Sequence, residues 1–187
     1  MLTHVSGVPF SLAWIRADTV FSRFKTVKLA PVSLEYLQPM SPKVGEAALA
    51  AQHEESIKAA IEVSESFERA MQNAKHIKLV DHATSESVVV EVAIVQLAPM
   101  APPESAAMFG ETKSKPAGDA GAGLITIEMR FRDVALSDIV AMFAERRLVV
   151  PKPNSGLVGY GFVAPVIDEW MTQTAEMLDQ AGPLGGT

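Results

Sequence analysis

The chain of 187 residues contains no cysteine. This absence excludes disulfides, thiolate nucleophiles, zinc–thiolate sites and iron–sulfur clusters as chemistry of these residues. It does not assign a compartment, because exported domains without disulfides are common.

Basic residues are also few. The chain has 16 Lys and Arg against 22 Asp and Glu, which gives a net charge of −6. This balance argues against nucleic-acid binding, which requires a basic stripe, and it gives no attraction to an anionic membrane. No apolar run reaches the roughly 20 residues of a spanning helix. Residues 1–21 lack the basic leader and unbroken apolar stretch of a signal peptide, so a cytoplasmic location and removal of a signal before residue 1 both stay open.

A composition of 48% hydrophobic and 20% charged residues is typical of a globular protein. We predict a single α/β domain over residues 25–181, with an N-terminal arm over 1–24 that packs on it. Prolines and glycines concentrate between residues 99 and 123, which predicts a long flexible loop there. The last residues, 182–187, are predicted to be a frayed tail.

Helical periodicity is strongest over about residues 43–75, after Ser41 as an N-cap and Pro42 at the first helical position. One apolar face is predicted for this helix from positions spaced by three and four: Ile57, Ile61, Ser64, Phe67 and Met71. A second helical stripe near the C-terminus includes Val163, Ile167 and Trp170.

Strand patterns occupy residues 26–29, 77–80 and 87–98 and a hairpin over 125–147. In the first strand of the hairpin, apolar residues alternate with Glu128 and Arg130, so one side of that strand is expected to be buried and the other solvated. The order of elements predicts an α+β fold with mixed α/β layers. Its largely antiparallel sheet is covered on one face by the long helix and the C-terminal helix.

No coherent catalytic constellation stands out. His76, Asp81 and His82 match no strong metal motif, and Ser155 lacks the nucleophile elbow of a serine hydrolase. Neither a metal nor a cofactor is predicted, and no residue is predicted to be catalytic.

The best acid–base candidate is Glu128 with Asp133 or Asp138, because paired carboxylates carry out glycoside hydrolysis. The favoured interpretation is structural. It expects Glu128 and the arginines beside it to form cross-strand ion pairs with Glu145 and Arg147 on the neighbouring strand.

The hairpin also carries a family pattern: a glycine, a strand ending in Glu-x-x-x-x-Asp, a short turn, and a strand closing on Asp-Arg or Glu-Arg. The matching positions here are Gly123, Glu128, Asp133, Ser137-Asp138 and Glu145-Arg146. In these positions, and more loosely over residues 20–180, the chain resembles an uncharacterised family of bacterial cell-envelope lipoproteins, a domain of unknown function. It departs from the family in lacking the lipidated cysteine and the usual Thr-Gly of the turn. The resemblance implies a periplasm-facing domain, often tethered to the outer membrane, with no established enzymatic activity.

Together these observations favour a non-enzymatic, periplasm-facing cell-envelope domain that acts by protein–protein contact, with no nucleic-acid partner. The family's lipid anchor would be its only link to a membrane. An exposed sheet edge or the loop near Met108-Phe109 is expected to make the contact. The alternative is a small-molecule-binding or hydrolytic cytoplasmic protein with a pocket between the sheet and the C-terminal helix. That pocket would be lined by Glu128, Arg130, Tyr160 and Trp170. Oligomeric state stays open.

Overall fold

The structure is a computed structural model that describes residues 1–6, 8–17, 19–40, 45–100, 122–150 and 159–180. The described strands are β1 (Leu2–His4), β2 (Leu12–Arg16), β3 (Thr26–Leu29), β4 (Lys78–Leu79), β5 (Ser87–Ala98), β6 (Gly123–Asp133) and β7 (Asp138–Val149). The helices are α1 (Glu46–Met71) and α2 (Val163–Asp179), with a short 3-10 helix at Phe21–Arg23.

The described strands form one seven-stranded sheet in the order β1-β2-β7-β6-β5-β3-β4. The pairs β1–β2, β2–β7, β7–β6 and β6–β5 are antiparallel, whereas the pairs β5–β3 and β3–β4 are parallel. The three long central strands, β5, β6 and β7, have the β-branched and aromatic composition that suits a pleated, half-buried surface.

Both helices lie on the same face of the sheet. The hydroxyl of Thr174 on α2 donates to the sulfur of Met129 on β6 over 3.7 Å. On α1, the amide of Gln52 donates to the carbonyl of Leu97 on β5 at 2.7 Å. The predicted α+β class, with two helices on one face of a largely antiparallel sheet, is therefore confirmed.

The core lies between this face of the sheet and the two helices. Its largest fully buried side chains come from both layers and include Trp170, Phe67, Phe131 and Phe143. Phe131 and Phe143 pack edge-to-face with ring centroids 5.0 Å apart, a geometry that aromatic pairs prefer. Phe21 of the 3-10 helix extends this cluster against Phe131.

The buried side of α1 differs from the prediction. Ile57 and Ile61 are 44% and 54% exposed, whereas the buried positions of this helix are Gln52, Ser56, Ala59, Val63, Ser66, Phe67 and Met71. This second set also recurs every three or four residues, so it forms a continuous stripe. Its small side chains allow α1 to pack closely against α2 and the sheet. The prediction was correct for Phe67 and Met71 and wrong for the two isoleucines.

The hydrogen bonds of Gln52 explain why this polar residue can lie in the buried stripe of α1. Its amide nitrogen donates to the carbonyls of Leu97 and Gln38, and its amide oxygen accepts the backbone N–H of Met40. Because every one of these partners is a backbone group outside α1, Gln52 fixes residues 38–40 against both α1 and β5. A buried polar side chain is tolerated when its hydrogen bonds are made in this way.

The predicted N-terminal arm contributes β1 and β2 to the edge of the sheet. Ala13 and Ile15 of β2 are buried, and Phe10 packs on Phe143 with ring centroids 5.1 Å apart. The proposed cap at Ser41-Pro42, the loop tip at Met108-Phe109 and the tail at 182–187 lie outside the described residues. Met100, just after β5, and Gly159, just before α2, form an isolated antiparallel bridge.

Candidate functional site

The four candidate binding residues fall on two different faces of the sheet. Glu128 and Arg130 flank Met129 on β6, and Met129 points towards α2. Because successive side chains of a strand point to opposite faces, Glu128 and Arg130 point away from the helices. Trp170, by contrast, is fully buried on the helix side. Glu128 and Arg130 therefore do not share a pocket with Trp170 between the sheet and α2.

The surroundings of Trp170 are those of a core residue and not of a binding site. The guanidinium of Arg147 lies over its indole ring, 5.8 Å from the centroid, within the range of a cation–π contact. Its indole N–H has no hydrogen-bond partner in the described part of the chain. Tyr160 is half-buried just before α2, and burial, followed by the negative charge of Glu55, raises the pKa of its hydroxyl.

The expected cross-strand ion pairs to Glu145 and Arg147 do not form. Arg147 lies opposite Ile125 and Glu145 opposite Ile127, so both point towards the helices. Glu145 accepts the backbone N–H of Ser11 there. On the other side of the sheet, Arg132 pairs with Glu91 of β5 at 3.0 Å. The alternation was assigned correctly for β6, but Glu145 and Arg147 of β7 lie on the opposite face from Glu128 and Arg130.

The carboxylates considered for acid–base chemistry are also separated. Asp133 is buried on the helix side, where it pairs with Arg23 and accepts the N–H groups of Ala135 and Leu136. Glu128 is five positions away on the same strand, and this odd spacing places the two carboxylates on opposite faces. They cannot converge on one substrate. Asp133 instead closes the β6–β7 turn, which gives the Glu-x-x-x-x-Asp pattern a structural explanation.

The other candidate residues do not assemble a site. The imidazole of His76 lies 3.0 Å from the backbone oxygen of Asp179, and the carboxylate of Asp179 accepts the backbone N–H groups of Lys75 and His76. Among the described residues, no group of three His, Asp or Glu side chains is arranged to hold a metal ion. Ser155 lies outside these residues.

The side of the sheet turned away from the helices is the candidate functional surface. We call it the open face, and its side chains include Leu12, Trp14, Arg16, Lys28, Lys78, Val89, Glu91, Ala93, Glu128, Arg130, Arg132, Met142, Ala144 and Arg146. Most of these side chains are partly or fully exposed. In the described part of the chain, no helix or strand is layered over them. The sheet therefore presents a broad surface of mixed apolar and charged groups.

The strand register arranges these side chains in rows across the sheet. One row runs from Trp14 through Met142 and Arg130 to Glu91. Cross-strand neighbours lie close enough to act as a unit, so the row combines an aromatic ring, a thioether and a guanidinium.

The adjacent row contains Ala144, Glu128 and Ala93. The small side chains of the two alanines leave a shallow depression. This depression has a volume of about 280 Å³ and is bounded by Tyr36, Glu91, Ala93, Glu128 and Arg130. Tyr36 is 55% exposed at its rim. A surface of this shape offers contact area and a few polar groups, not an enclosed cavity in which water would be excluded from a substrate.

The charge of the open face is opposite in sign to that of the whole chain. Its strands carry six basic side chains, Arg16, Lys28, Lys78, Arg130, Arg132 and Arg146, and two acidic ones, Glu91 and Glu128. Arg132 is neutralised by Glu91, and Arg16 pairs with Asp138 at 2.8 Å. The guanidiniums of Arg130 and Arg146 have no ion-pair partner among the residues that the structure describes. Their charge is available to a partner.

Sequence reasoning found Glu128 and Arg130 but missed Trp14, Met142 and Arg146. The signal for Trp14 was present, since Leu12, Trp14 and Arg16 alternate with the buried residues Ala13 and Ile15. A period of two over five residues is weak in an N-terminal segment, so the pattern was assigned to an arm.

Comparisons with known proteins give no assignment. No family model and no curated protein matches the chain. A PelC dodecamer from Paraburkholderia phytofirmans is similar in structure at 13% identity over 96% of each chain, with a TM-score of 0.40. Hypothetical protein CT253 from Chlamydia trachomatis is similar at 10% identity over 82% of this chain and 97% of that chain, with a TM-score of 0.44. Protein XCC0632 from Xanthomonas campestris, of family DUF330, is similar at 13% identity over 83% and 81% of the two chains, with a TM-score of 0.43. At these scores, no functional conclusion is drawn from the similarity.

Within the described residues, neither helix is long and apolar enough to cross a membrane.

Proposed function

We propose that this chain is a non-enzymatic, lipoprotein-like domain of the bacterial cell envelope that faces the periplasm and acts by binding another protein chain. The observation that carries the proposal is the open face itself. It places Trp14 and Met142 beside Arg130, with Arg146 four residues further along β7, and the two arginines have no ion-pair partner in the described part of the chain. Aromatic residues, methionine and arginine are the residue types enriched at protein–protein interfaces.

The shape of the surface supports a macromolecular partner. A small-molecule site normally encloses most of its ligand in a concave, largely apolar pocket. The depression at Glu128 and Arg130 is instead open to solvent, and three charged side chains, Glu91, Glu128 and Arg130, line it. An open surface on which Trp14 and Met142 lie among basic side chains suits a partner that presents apolar and acidic groups. The periplasmic location is supported by the resemblance of β6 and β7 to the cell-envelope family.

Site-specific photo-crosslinking in the native host tests the contact. A photoreactive amino acid is placed at Met142 on the open face and, as the matched control, at Asn73, which is exposed beyond the end of α1. We expect adducts of protein mass from position 142 and few or none from position 73. Equal labelling at both positions, or no protein adduct at position 142, would contradict the proposed contact surface.

Cell fractionation tests the location separately. We expect the gene product in the periplasmic or outer-membrane fraction of the native host. It should also become sensitive to added protease once the outer membrane is permeabilised. Continued protection together with a cytoplasmic marker would remove the periplasmic part of the proposal and leave the open face to be judged by the crosslinking result.

A further inference from the structure

We infer that the partner of the open face is a second copy of this chain, which docks through the outward side of its helix α1. This inference rests on the proposed function, because it assigns an occupant to the same surface. The docking element is the outer strip of α1, formed by Ile57, Ile61, Glu65 and Glu68. Copies joined in this way associate head to tail.

The outer strip is an unusual surface for a helix that already has a buried side. Its four residues follow one another at spacings of four, four and three, so they lie along one line of the helix. That line is opposite the buried stripe that includes Ala59 and Val63. Both isoleucines are largely exposed, and the carboxylates of Glu65 and Glu68 make no ion pair or hydrogen bond within the described ranges. Apolar and acidic groups are therefore both available for docking.

The charges of the two helices complement those of the open face. The two helices contain six acidic residues in α1 and four in α2, compared with two Lys or Arg residues, Lys58 and Arg69. The open face has the opposite balance, and the guanidiniums of Arg130 and Arg146 make no ion pair with any residue that the structure describes. Complementary potentials favour the encounter of the helical layer of one copy with the open face of another. Two open faces would repel each other, which disfavours a symmetric face-to-face dimer.

The dimensions of the two surfaces also agree. Eleven residues separate Ile57 from Glu68, which corresponds to about 16 Å along a helix at 1.5 Å per residue. Met142 and Arg146 are four residues apart on β7, or about 13 Å at the rise of a strand. The strip can therefore lay its isoleucines on Trp14 and Met142 while its glutamates reach the arginines. The two surfaces lie on opposite sides of the domain, so each copy keeps one of them free after the first contact, and rings or filaments can form.

Sedimentation velocity of the full chain tests this inference with paired charge reversals. The open-face variant combines Arg130→Glu with Arg146→Glu, and the strip variant combines Glu65→Lys with Glu68→Lys. We expect the unmodified chain to form species larger than a monomer, and each variant alone to lose them. An equimolar mixture of the two variants should associate again, because an acidic open face then meets a basic strip. A control with Asp81→Lys, which lies outside both surfaces and outside the two helices, should sediment like the unmodified chain.

Salt dependence and folding provide the remaining checks. Raising the salt from about 0.05 M to about 0.5 M should weaken association roughly tenfold, because exposed charges are screened. Circular dichroism should show that both variants are folded. A monomeric unmodified chain, variants that keep the unmodified distribution, or a mixture that stays monomeric would each overturn the inference. Adducts between Met142 and a different protein would also overturn it while leaving the proposed function intact, whereas adducts with the chain's own α1 would support both.

Discussion

Arg147 on β7 and Glu169 on α2 join the sheet to the C-terminal helix through two parallel hydrogen bonds. The Nη1–Oε2 distance is 3.1 Å and the Nη2–Oε1 distance is 2.9 Å. The same guanidinium lies over the Trp170 ring. This bidentate geometry suits arginine and cannot be reproduced by lysine. The hydrogen bonds from Arg147 lower the pKa of Glu169, and those to Glu169 raise the pKa of Arg147.

Replacing Arg147 should therefore destabilise the domain more than replacing its neighbour. We expect Arg147→Ala to lower the free energy of unfolding by about 1 kcal/mol, a modest value because both partners are partly exposed to solvent. Arg146→Ala is the matched control. Its side chain points to the open face, and it should change stability by less than about 0.5 kcal/mol. Urea unfolding in dilute solution measures both. Equal losses would contradict the assignment of the two arginines to opposite faces.

The carboxylate of Asp179 should make stability depend on pH. Burial alone would raise the pKa of this group, but the N–H groups of Lys75 and His76, with the charge of His76, outweigh it and lower the pKa below its ordinary value of 3.8. A lowered pKa means that the folded state favours the ionised form. The stabilisation is therefore fully present above about pH 4 and is lost as the pH falls through the lowered value.

Asp179→Asn should reduce the free energy of unfolding by about 1–2 kcal/mol at neutral pH, and the difference from the unmodified chain should shrink as the pH falls below about 4. Chemical unfolding at a series of pH values checks this. Asp81→Asn provides the control, since the side chain of Asp81 makes no hydrogen bond in the part of the chain that the structure describes. A difference for Asp179→Asn that does not change with pH would argue that shape, and not charge, is responsible.

Gly123 should tolerate no side chain. A Cβ built there would lie 2.3 Å from Cε1 of Phe162, a ring that is itself buried. We expect Gly123→Ala to cost about 1–3 kcal/mol through overpacking. Gly45→Ala, at the N-cap of α1, should cost less, because a Cβ there meets nothing within 4 Å among the described residues. Combining Gly123→Ala with Phe162→Leu should recover part of the loss, and failure to do so would indicate that the ring is not the obstacle.

Gln52 should be essential for the packing of residues 38–40. Gln52→Leu would leave the carbonyls of Leu97 and Gln38 and the N–H of Met40 without their partner. The Leu97 carbonyl is buried and would be costly to leave unpaired, so we expect a loss of about 1–3 kcal/mol in unfolding free energy. Gln72→Leu, at the exposed end of α1, is the control and should be nearly neutral. If Gln52→Leu leaves the free energy of unfolding unchanged, water replaces these hydrogen bonds.

The sequence was sufficient to predict the layers of the fold because its strongest periodic patterns are also its longest elements. The alternation of β6 separated Met129 from Glu128 and Arg130, and the C-terminal stripe correctly placed Trp170 in the core. These assignments depend only on the geometry of one strand or one helix, which the local sequence determines.

The arrangement between elements was harder to predict, because it depends on register and on competing stripes. A helix with two periodic stripes does not reveal which one is buried, and α1 exposes Ile57 and Ile61 while burying Gln52 and Ser56. The strand opposite Glu128 presents Ala144, not Glu145, and no local pattern specifies that pairing. The largest error of this kind, the exposure of the two isoleucines, falls on the surface that we assign to docking.

Cysteine crosslinking tests the proposed head-to-tail contact most directly, because the chain has no cysteine of its own. Met142→Cys on the open face and Ile61→Cys on the outer strip are prepared as separate single variants, mixed, and oxidised gently. We expect a disulfide-linked heterodimer in the mixture, and a ladder of larger species when one chain contains both substitutions. Little homodimer is expected from either variant alone. Homodimers of Met142→Cys that form as readily as the heterodimer, or no crosslink in the mixture, would contradict it.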